Sequence, residues 1–155
     1  MNNSNIVYKT GDLFSSNLPA LGHGVNLYGV MGSGIAPIIK ARYPLVFAPY
    51  KKACDNKELT VGNMLPVLVD VNKWVFNLAS QNQPGPNAQL GWLESSLTQS
   101  FIFAYQNNLE GFAIPRIGAG IGGLKWVDVI EIIERVGAEY PTIILEVWSL
   151  PDADK

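Results

Sequence analysis

Short apolar runs alternate along this chain with segments in which apolar residues recur every three or four positions. The apolar runs predict strands at 6–9, 20–26, 64–71, 74–78, 112–114 and 142–148. The periodic segments predict helices after residue 35, over 46–54, over 90–105 and over 126–133. Strands that alternate with helices predict an α/β fold, in which helices cover both faces of one central sheet.

The two helices in the second half of the chain have the clearest periodicity. Steps of three and four residues make the helix over 90–105 amphipathic, with an apolar stripe of Leu90, Leu93, Leu97, Phe101 and Tyr105. In the last helix one face is predicted to hold Trp126, Val129, Ile130 and Ile133. Between strand and helix, the residues 80–87 form a loop rich in proline and polar side chains.

Two glycine-rich loops interrupt this alternation, GVMGSGIA at 29–36 and GAGIGGL at 118–124. Each follows a predicted strand and precedes a predicted helix. Glycine allows the backbone to approach a ligand closely, and the start of a helix offers unpaired N–H groups to an anion. Two such loops in one small domain predict that a diphosphate binds between them.

Composition limits the kinds of ligand that such a site could bind. The 155 residues are long enough for one domain, residues 1–155, and 48% of them are apolar. A net charge of −2 gives no general attraction to nucleic acid, so main-chain amides rather than a basic surface would bind the anion. A single histidine and a single cysteine argue against a metal site and a disulfide framework.

The chain also lacks the signals of membrane insertion and export. Residues 1–5 are polar, and no apolar run approaches the roughly 20 residues of a membrane span. These features predict a soluble, cytoplasmic protein with no membrane partner. The oligomeric state stays open.

Other phosphate-binding motifs compete with this interpretation of the second loop. Its glycines at 118, 120 and 123 satisfy the G-x-G-x-x-G spacing of dinucleotide-binding folds, but a lone match is weak and only 32 residues follow it. Neither loop carries the Gly-Lys-Ser/Thr of a P-loop.

Four segments, in order along the chain, resemble the macro domains, a family that binds ADP-ribose. They are GDLF at 11–14, the stretch from Asn26 through GSGIA at 32–36, PRIGAGIGGLKW at 115–126, and VWSL at 147–150. The resemblance implies a three-layer α/β/α domain around a mixed, mostly parallel six-stranded sheet. It implies ADP-ribose, or an ADP-ribosylated substrate, as ligand, with no further cofactor. The most similar branch contains terminal ADP-ribose glycohydrolase, the DNA-ADP-ribose glycohydrolase antitoxins and fungal ADP-ribose 1″-phosphate phosphatase.

The resemblance implies a role for each matching position. At the adenine, Asp12 would accept from the amino group, although it can equally cap a turn, and Trp148 could equally be a core residue. The ligand-binding positions implied for adenine are Gly11, Asp12, Leu13, Trp148 and Leu150. Those implied for the distal ribose and its phosphate are Asn26, Gly32, Ser33, Gly34, Ile35 and Ala36. Those implied for the diphosphate are Pro115, Ile117, Gly118, Ala119, Gly120, Ile121, Gly122, Gly123 and Leu124.

Catalytic residues are harder to assign. The candidates are Asn26 and His23; the fungal phosphatases carry a histidine in the similar strand, but a histidine on a buried strand is more often a core residue. The glycohydrolases of this branch use a lysine and an aspartate where this chain has Ser80 or Gln81 and Gly122. The expected activity is therefore hydrolysis of an ADP-ribose derivative, with ADP-ribose 1″-phosphate preferred. The alternatives are a glycohydrolase that removes ADP-ribose from protein or nucleic acid, and a non-catalytic ADP-ribose reader.

Overall fold

The computed structural model describes residues 5–151, and the polar residues 1–4 lie outside this range. The strands are β1 (Ile6–Thr10), β2 (Ala20–Gly24), β3 (Met64–Asp70), β4 (Lys73–Leu78), β5 (Gly111–Ile114) and β6 (Ile144–Ser149). The α-helices are α1 (Ala36–Arg42), α2 (Phe47–Asp55), α3 (Leu90–Gln106) and α4 (Trp126–Gly137).

All six strands form one sheet in the order β1-β6-β5-β2-β4-β3. Five strands run parallel, and only β3, at an edge, is antiparallel to its neighbour β4. The tight turn between β3 and β4 has Asn72 at φ 61°, a conformation that asparagine tolerates better than most residues. The predicted mixed, mostly parallel six-stranded sheet is thus confirmed.

Helices cover both faces of the sheet, each over its own apolar core. On one face α3 and α4 pack against strand side chains such as Phe76, Phe112 and Leu145, all fully buried. On the other face α1 and α2 pack against Val67, Val75 and their neighbours. The layers therefore follow the α/β/α order that the sequence predicted.

The parallel strands bring five segments of the chain to the same end of the sheet. These are the segments that follow β1, β2, β4, β5 and β6, and they lie together because the five strands run in the same direction and their carboxyl ends meet there. Ligands of open α/β sheets gather at this end. Both glycine-rich loops lie there.

The structure corrects several predicted bounds and one predicted helix face. The strand predicted over 20–26 ends at Gly24, where the chain leaves the sheet, and the helix predicted over 126–133 continues to Gly137. The buried face of α4 is Val129, Ile132, Ile133 and Val136, so Ile132 belongs to it while Trp126 and Ile130 stay partly exposed. The last strand begins at Ile144 rather than at Thr142, because the N–H of Ile143 donates to the carbonyl of Tyr140 in a turn, 3.0 Å away. Within residues 5–151, no helix is long and apolar enough to cross a membrane.

Candidate functional site

A cleft of about 550 Å³ opens at the carboxyl edge of the sheet. Its volume lies in the range of small-molecule sites. Five segments form its lining: residues 24–26 after β2, 30–36 in the first glycine-rich loop, 80–81 after β4, 115–120 and 122 in the second, and 148–150 at the end of β6. The two loops that sequence analysis singled out therefore share one cleft.

Asn26 stands at the start of the first loop and its carboxamide is held from several sides. Its Oδ1 accepts from the N–H of Tyr28 at 2.8 Å, and its Nδ2 donates to the carbonyl of Val30 at 3.2 Å. The fully buried Tyr50 of α2 donates its hydroxyl to the carbonyl of Asn26 at 2.8 Å. One N–H of the carboxamide stays available for a ligand, so Asn26 offers the cleft a donor.

The rest of the first loop leaves its main-chain N–H groups without protein acceptors. Across residues 5–151, no acceptor is hydrogen-bonded to the amides of residues 32–35. All four residues line the cleft and lead directly into α1. Unpaired amides beside a cleft form a site for an anion.

The second loop, which lines the same cleft, also has main-chain amides without protein acceptors. Its first residue, Gly118, has φ +80°, where a Cβ would also lie 2.9 Å from Leu124 Cδ1, so only glycine fits there. The N–H of Leu124 closes the loop onto the carbonyl of Gly118 at 2.9 Å. Over the described part of the chain, the amides of Gly118 and Gly120 have no acceptor.

The loop after β4 packs against this second loop. The N–H of Ala88 donates to the carbonyl of Gly122 at 3.1 Å, and Pro86 lies against Gly123. Gly123 and Leu124, both predicted ligand-binding positions, do not line the cleft. The side chain of Ile121, a third predicted position, lies outside the part of the chain that the structure describes.

Only some of the residues predicted to contact adenine line the cleft. Trp148 and Leu150 line it, whereas Gly11, Asp12 and Leu13 do not. Asp12 Oδ1 accepts from the N–H of Phe14 at 2.9 Å and caps a short 3-10 helix. That is the alternative role considered for this carboxylate, and recognition of adenine by Asp12 stays a prediction.

His23 lies behind the lining of the cleft, fully buried on β2. The Asn77 amide donates to the Leu65 carbonyl, so Asn77 Oδ1 is the acceptor for His23 Nε2, 2.8 Å away. Burial lowers the pKa of His23 to about 4, although the hydrogen bond to Asn77 opposes this shift. At neutral pH the imidazole is uncharged, and its one N–H, on Nε2, is donated to Asn77, so it is not an acid for a leaving group. The catalytic role of His23 stays a prediction, and its position does not favour that role.

Several lining residues were not among the predicted site residues. Arg116 is the only described lining residue with a formal charge; its Nε donates to Ser149 Oγ at 2.9 Å and its guanidinium lies over the ring of Trp126. The other lining residues missed by the prediction are Gly24, Val25, Val30, Met31, Ser80, Gln81 and Ser149. Arg116, Ser149, Val30 and Met31 lie within the segments singled out in the sequence, whereas Gly24, Val25, Ser80 and Gln81 reach the cleft through the order of the strands, which single-sequence patterns do not reveal.

Comparison with known proteins fits this geometry. The family profile described as "Macro domain" matches residues 23–133. The DNA ADP-ribosyl glycohydrolase of Mycobacterium tuberculosis is 33% identical over 141 residues, covering 89% of this chain and 40% of that protein. The ADP-ribose 1″-phosphate phosphatase of Lodderomyces elongisporus is 24% identical over 147 residues, covering 84% of this chain and 92% of that protein. The chain thus spans about 40% of the length of the glycohydrolase that it matches.

Solved structures resemble it over nearly the whole chain. The macrodomain of M. tuberculosis DarG superposes with a TM-score of 0.85 at 32% identity, covering 92% of this chain and 96% of that one. Thermosipho africanus DarTG in complex with ADP-ribose superposes with a TM-score of 0.86 at 25% identity, covering 99% of this chain and 43% of that one.

Proposed function

The chain belongs to the macro domain family, and we propose that its cleft binds ADP-ribose and hydrolyses ADP-ribose derivatives at C1″, the anomeric carbon of the distal ribose. The observation that carries this proposal is that two separate loops, at residues 32–35 and at Gly118 and Gly120, bring main-chain amides without protein acceptors to one cleft. A diphosphate between them would satisfy both sets of amides at once.

Binding of the diphosphate by main-chain amides fits the small number of charged side chains in this cleft. With one charged residue in the described lining, the cleft would neutralise a diphosphate by oriented N–H dipoles rather than by a cluster of lysines. Such dipoles are fixed before the ligand arrives, so little reorganisation is needed on binding.

Hydrolysis in this cleft would depend on positioning. With the diphosphate fixed, the distal ribose would lie along the first loop, where the free N–H of Asn26 can donate to a ribose hydroxyl. Holding the anomeric carbon in one place converts attack by water into an effectively unimolecular step. Water is the only co-reactant that this reaction requires.

Two substrate classes have separate support. ADP-ribose 1″-phosphate is the preferred substrate, because the residue that follows Ser80 is Gln81 and no lysine stands in the described lining to form a covalent sugar adduct. An ADP-ribosylated DNA base is the second candidate, because the 33% identity to a DNA ADP-ribosyl glycohydrolase exceeds the identity to the phosphatase.

A matched pair of glycine variants tests the site. A Cβ at Gly32 or at Gly91 meets no atom within 4 Å, so the two positions are matched in the open space at the start of an added side chain. Gly32 lines the cleft, whereas Gly91 lies in the first turn of α3 away from it. We expect isothermal titration calorimetry to show that Gly32→Asp weakens ADP-ribose binding at least about 10-fold, by repulsion between carboxylate and diphosphate. Gly91→Asp should bind like the wild type.

Turnover assays distinguish a hydrolase from a protein that only binds ADP-ribose. The wild type is incubated with ADP-ribose 1″-phosphate, with an ADP-ribosylated single-stranded oligonucleotide and with an ADP-ribosylated protein, and released ADP-ribose is measured. We expect release from at least one substrate and its loss in Gly32→Asp. Binding of ADP-ribose without release from any of the three would identify a reader and contradict the hydrolase.

A further inference from the structure

Two adjacent polar side chains in the cleft have hydrogen-bonding groups that the protein itself does not use. Ser80 and Gln81 come just after β4, separated from it by Ala79, and both line the cleft. What the pair could do follows from the orientation of each side chain.

The carboxamide of Gln81 is held in one orientation. Its Nε2 donates to two carbonyl groups, that of Gln83 at 2.9 Å and that of Gly85 at 3.1 Å. Because both partners are acceptors, the amide cannot be reversed without placing oxygen against oxygen. Oε1 is therefore the carboxamide atom that these two hydrogen bonds do not use, and among residues 5–151 no donor is hydrogen-bonded to it. It lies toward the second loop, since a Cβ on Gly122 would be 3.6 Å from it.

Ser80 adds a buried hydroxyl to the floor of the same cleft. Its side chain is fully buried, and within the described chain its Oγ has no hydrogen-bond partner. Gly24 leaves the space for this hydroxyl, because a Cβ at Gly24 would lie 2.6 Å from Ser80 Oγ. An orphaned buried hydroxyl carries a desolvation cost that a polar ligand atom or a water would relieve.

The loop that carries this pair is joined to the loop that carries Asn26. The N–H of Leu27 donates to the carbonyl of Asn82 at 3.0 Å, so the residue after Asn26 is bonded to the residue after Gln81. Asn26 and the serine–glutamine pair therefore lie on adjacent segments of the cleft lining, near where the proposed function places the distal ribose.

On the basis of the function proposed above, we propose that Gln81 Oε1 and Ser80 Oγ hold the water molecule that attacks C1″. Gln81 accepts one hydrogen of this water, and Ser80 either donates to it or accepts the other. A carboxamide does not titrate, so Gln81 orients the water and does not deprotonate it.

The reaction is a single displacement by water. A bond forms between the water oxygen and C1″, while the bond between C1″ and the phosphate oxygen or base atom breaks. The electron pair of that bond leaves with the phosphate or base. This leaving group also receives the proton released by the water, so no protein base is required.

Substitution of Gln81 tests the inference against a matched control. Gln81→Met keeps the length of the side chain but removes the oxygen. Asn87 donates to the same two carbonyls, of Gln83 at 2.6 Å and of Gly85 at 3.2 Å, without lining the cleft, so Asn87→Ala loosens the same loop. We expect Gln81→Met to lower kcat roughly 10- to 100-fold, with the Kd for ADP-ribose within about 2-fold of the wild type. Asn87→Ala should retain most of kcat.

Competition between water and methanol supplies a readout that a structural role would not change. In dilute methanol the wild type should form ADP-ribose in preference to its 1″-O-methyl derivative, beyond the molar ratio of the two nucleophiles. Gln81→Met should shift the product ratio toward the solvent ratio, and Asn87→Ala should not. Ser80→Ala should shift it in the same direction while leaving Tm unchanged or higher, because it removes an orphaned hydroxyl.

The outcomes distinguish the inference from the proposed function. If the wild type releases ADP-ribose and Gln81→Met does so at the same rate and product ratio, the water-holding role is wrong and the proposed function stands. If the wild type is active on ADP-ribose 1″-phosphate in H₂¹⁸O and the label enters the released phosphate, attack occurs at phosphorus and the inference is overturned. If the wild type releases nothing, the proposed function fails and the inference falls with it.

Discussion

At the scale of single residues, a side chain can bind a ligand only if one of its polar atoms is not already hydrogen-bonded within the protein. The residue type alone does not show this. Asn26 keeps one free N–H and Gln81 one free oxygen, whereas Asp12 already caps a turn and His23 faces Asn77. The sequence kept His23, Asp12 and Asn26 together as candidates, because a pattern records chemical type but not which atoms are already paired. The role of Gln81 depends on the two carbonyls of Gln83 and Gly85, which no motif contains.

His23 should make stability, rather than activity, depend on pH. Its pKa is about 4 in the native protein and about 6.5 when unfolded, so below pH 6.5 the unfolded state binds a proton that the native state does not. Stability is therefore complete above pH 6.5 and is lost as the pH falls toward 4. We expect the free energy of unfolding to fall by about 1.5 kcal/mol between pH 6.5 and 5, measured by urea denaturation.

The variant His23→Gln, which cannot titrate, is the control. Its unfolding free energy should stay nearly level over that interval, because the lowered pKa values of Glu94 and Glu146 place their effects at more acidic pH. Because His23 is the only histidine and is buried in a neutral form, the wild type and His23→Gln should show the same dependence of kcat on pH. Parallel stability curves for the two proteins would show that His23 is not buried in a neutral form.

At the scale of elements, local sequence was enough to find most strands and helices but not their contacts. The stripe in α3 and the run in β4 are long and regular, so both were predicted within a residue or two of their bounds. The face of α4 was misjudged at Ile130 and Ile132, because consecutive isoleucines satisfy several helical phases. The contact between α2 and the first loop had no sequence signal, since it joins Tyr50 to Asn26 across 24 residues.

Tyr50 allows this contact between elements to be tested. Its hydroxyl lies 2.8 Å from the carbonyl of Asn26 and 3.3 Å from that of Val30, so it fixes the first loop to α2. Tyr50→Phe removes these bonds and keeps the buried ring. We expect the Kd for ADP-ribose, measured by calorimetry, to rise about 3- to 10-fold, the range that one hydrogen bond supports.

Tyr105→Phe is the matched control for Tyr50→Phe. Tyr105 is 63% exposed on α3, so the loss of its hydroxyl should leave the Kd unchanged. If both variants bind ADP-ribose like the wild type, the first loop keeps its shape without α2.

At the scale of the whole molecule, the direction of the strands creates the site. Five parallel strands deliver the first loop, the loop after β4, the second loop and the end of β6 to one edge, although these segments are far apart in sequence. The alternation of strands and helices was enough to predict the layers. The order β1-β6-β5-β2-β4-β3 was not predicted, because single-sequence periodicity carries no information on which strands pair.

The central claim is that main-chain amides from two separate loops bind one diphosphate. A crystal structure of the protein with ADP-ribose tests it most directly. We expect the diphosphate oxygens to lie within about 3.2 Å of amide nitrogens from both residues 32–35 and 118–120, with the distal ribose beside Asn26 and Gln81. A diphosphate bound by only one of the loops, or bound outside the cleft, would contradict the claim.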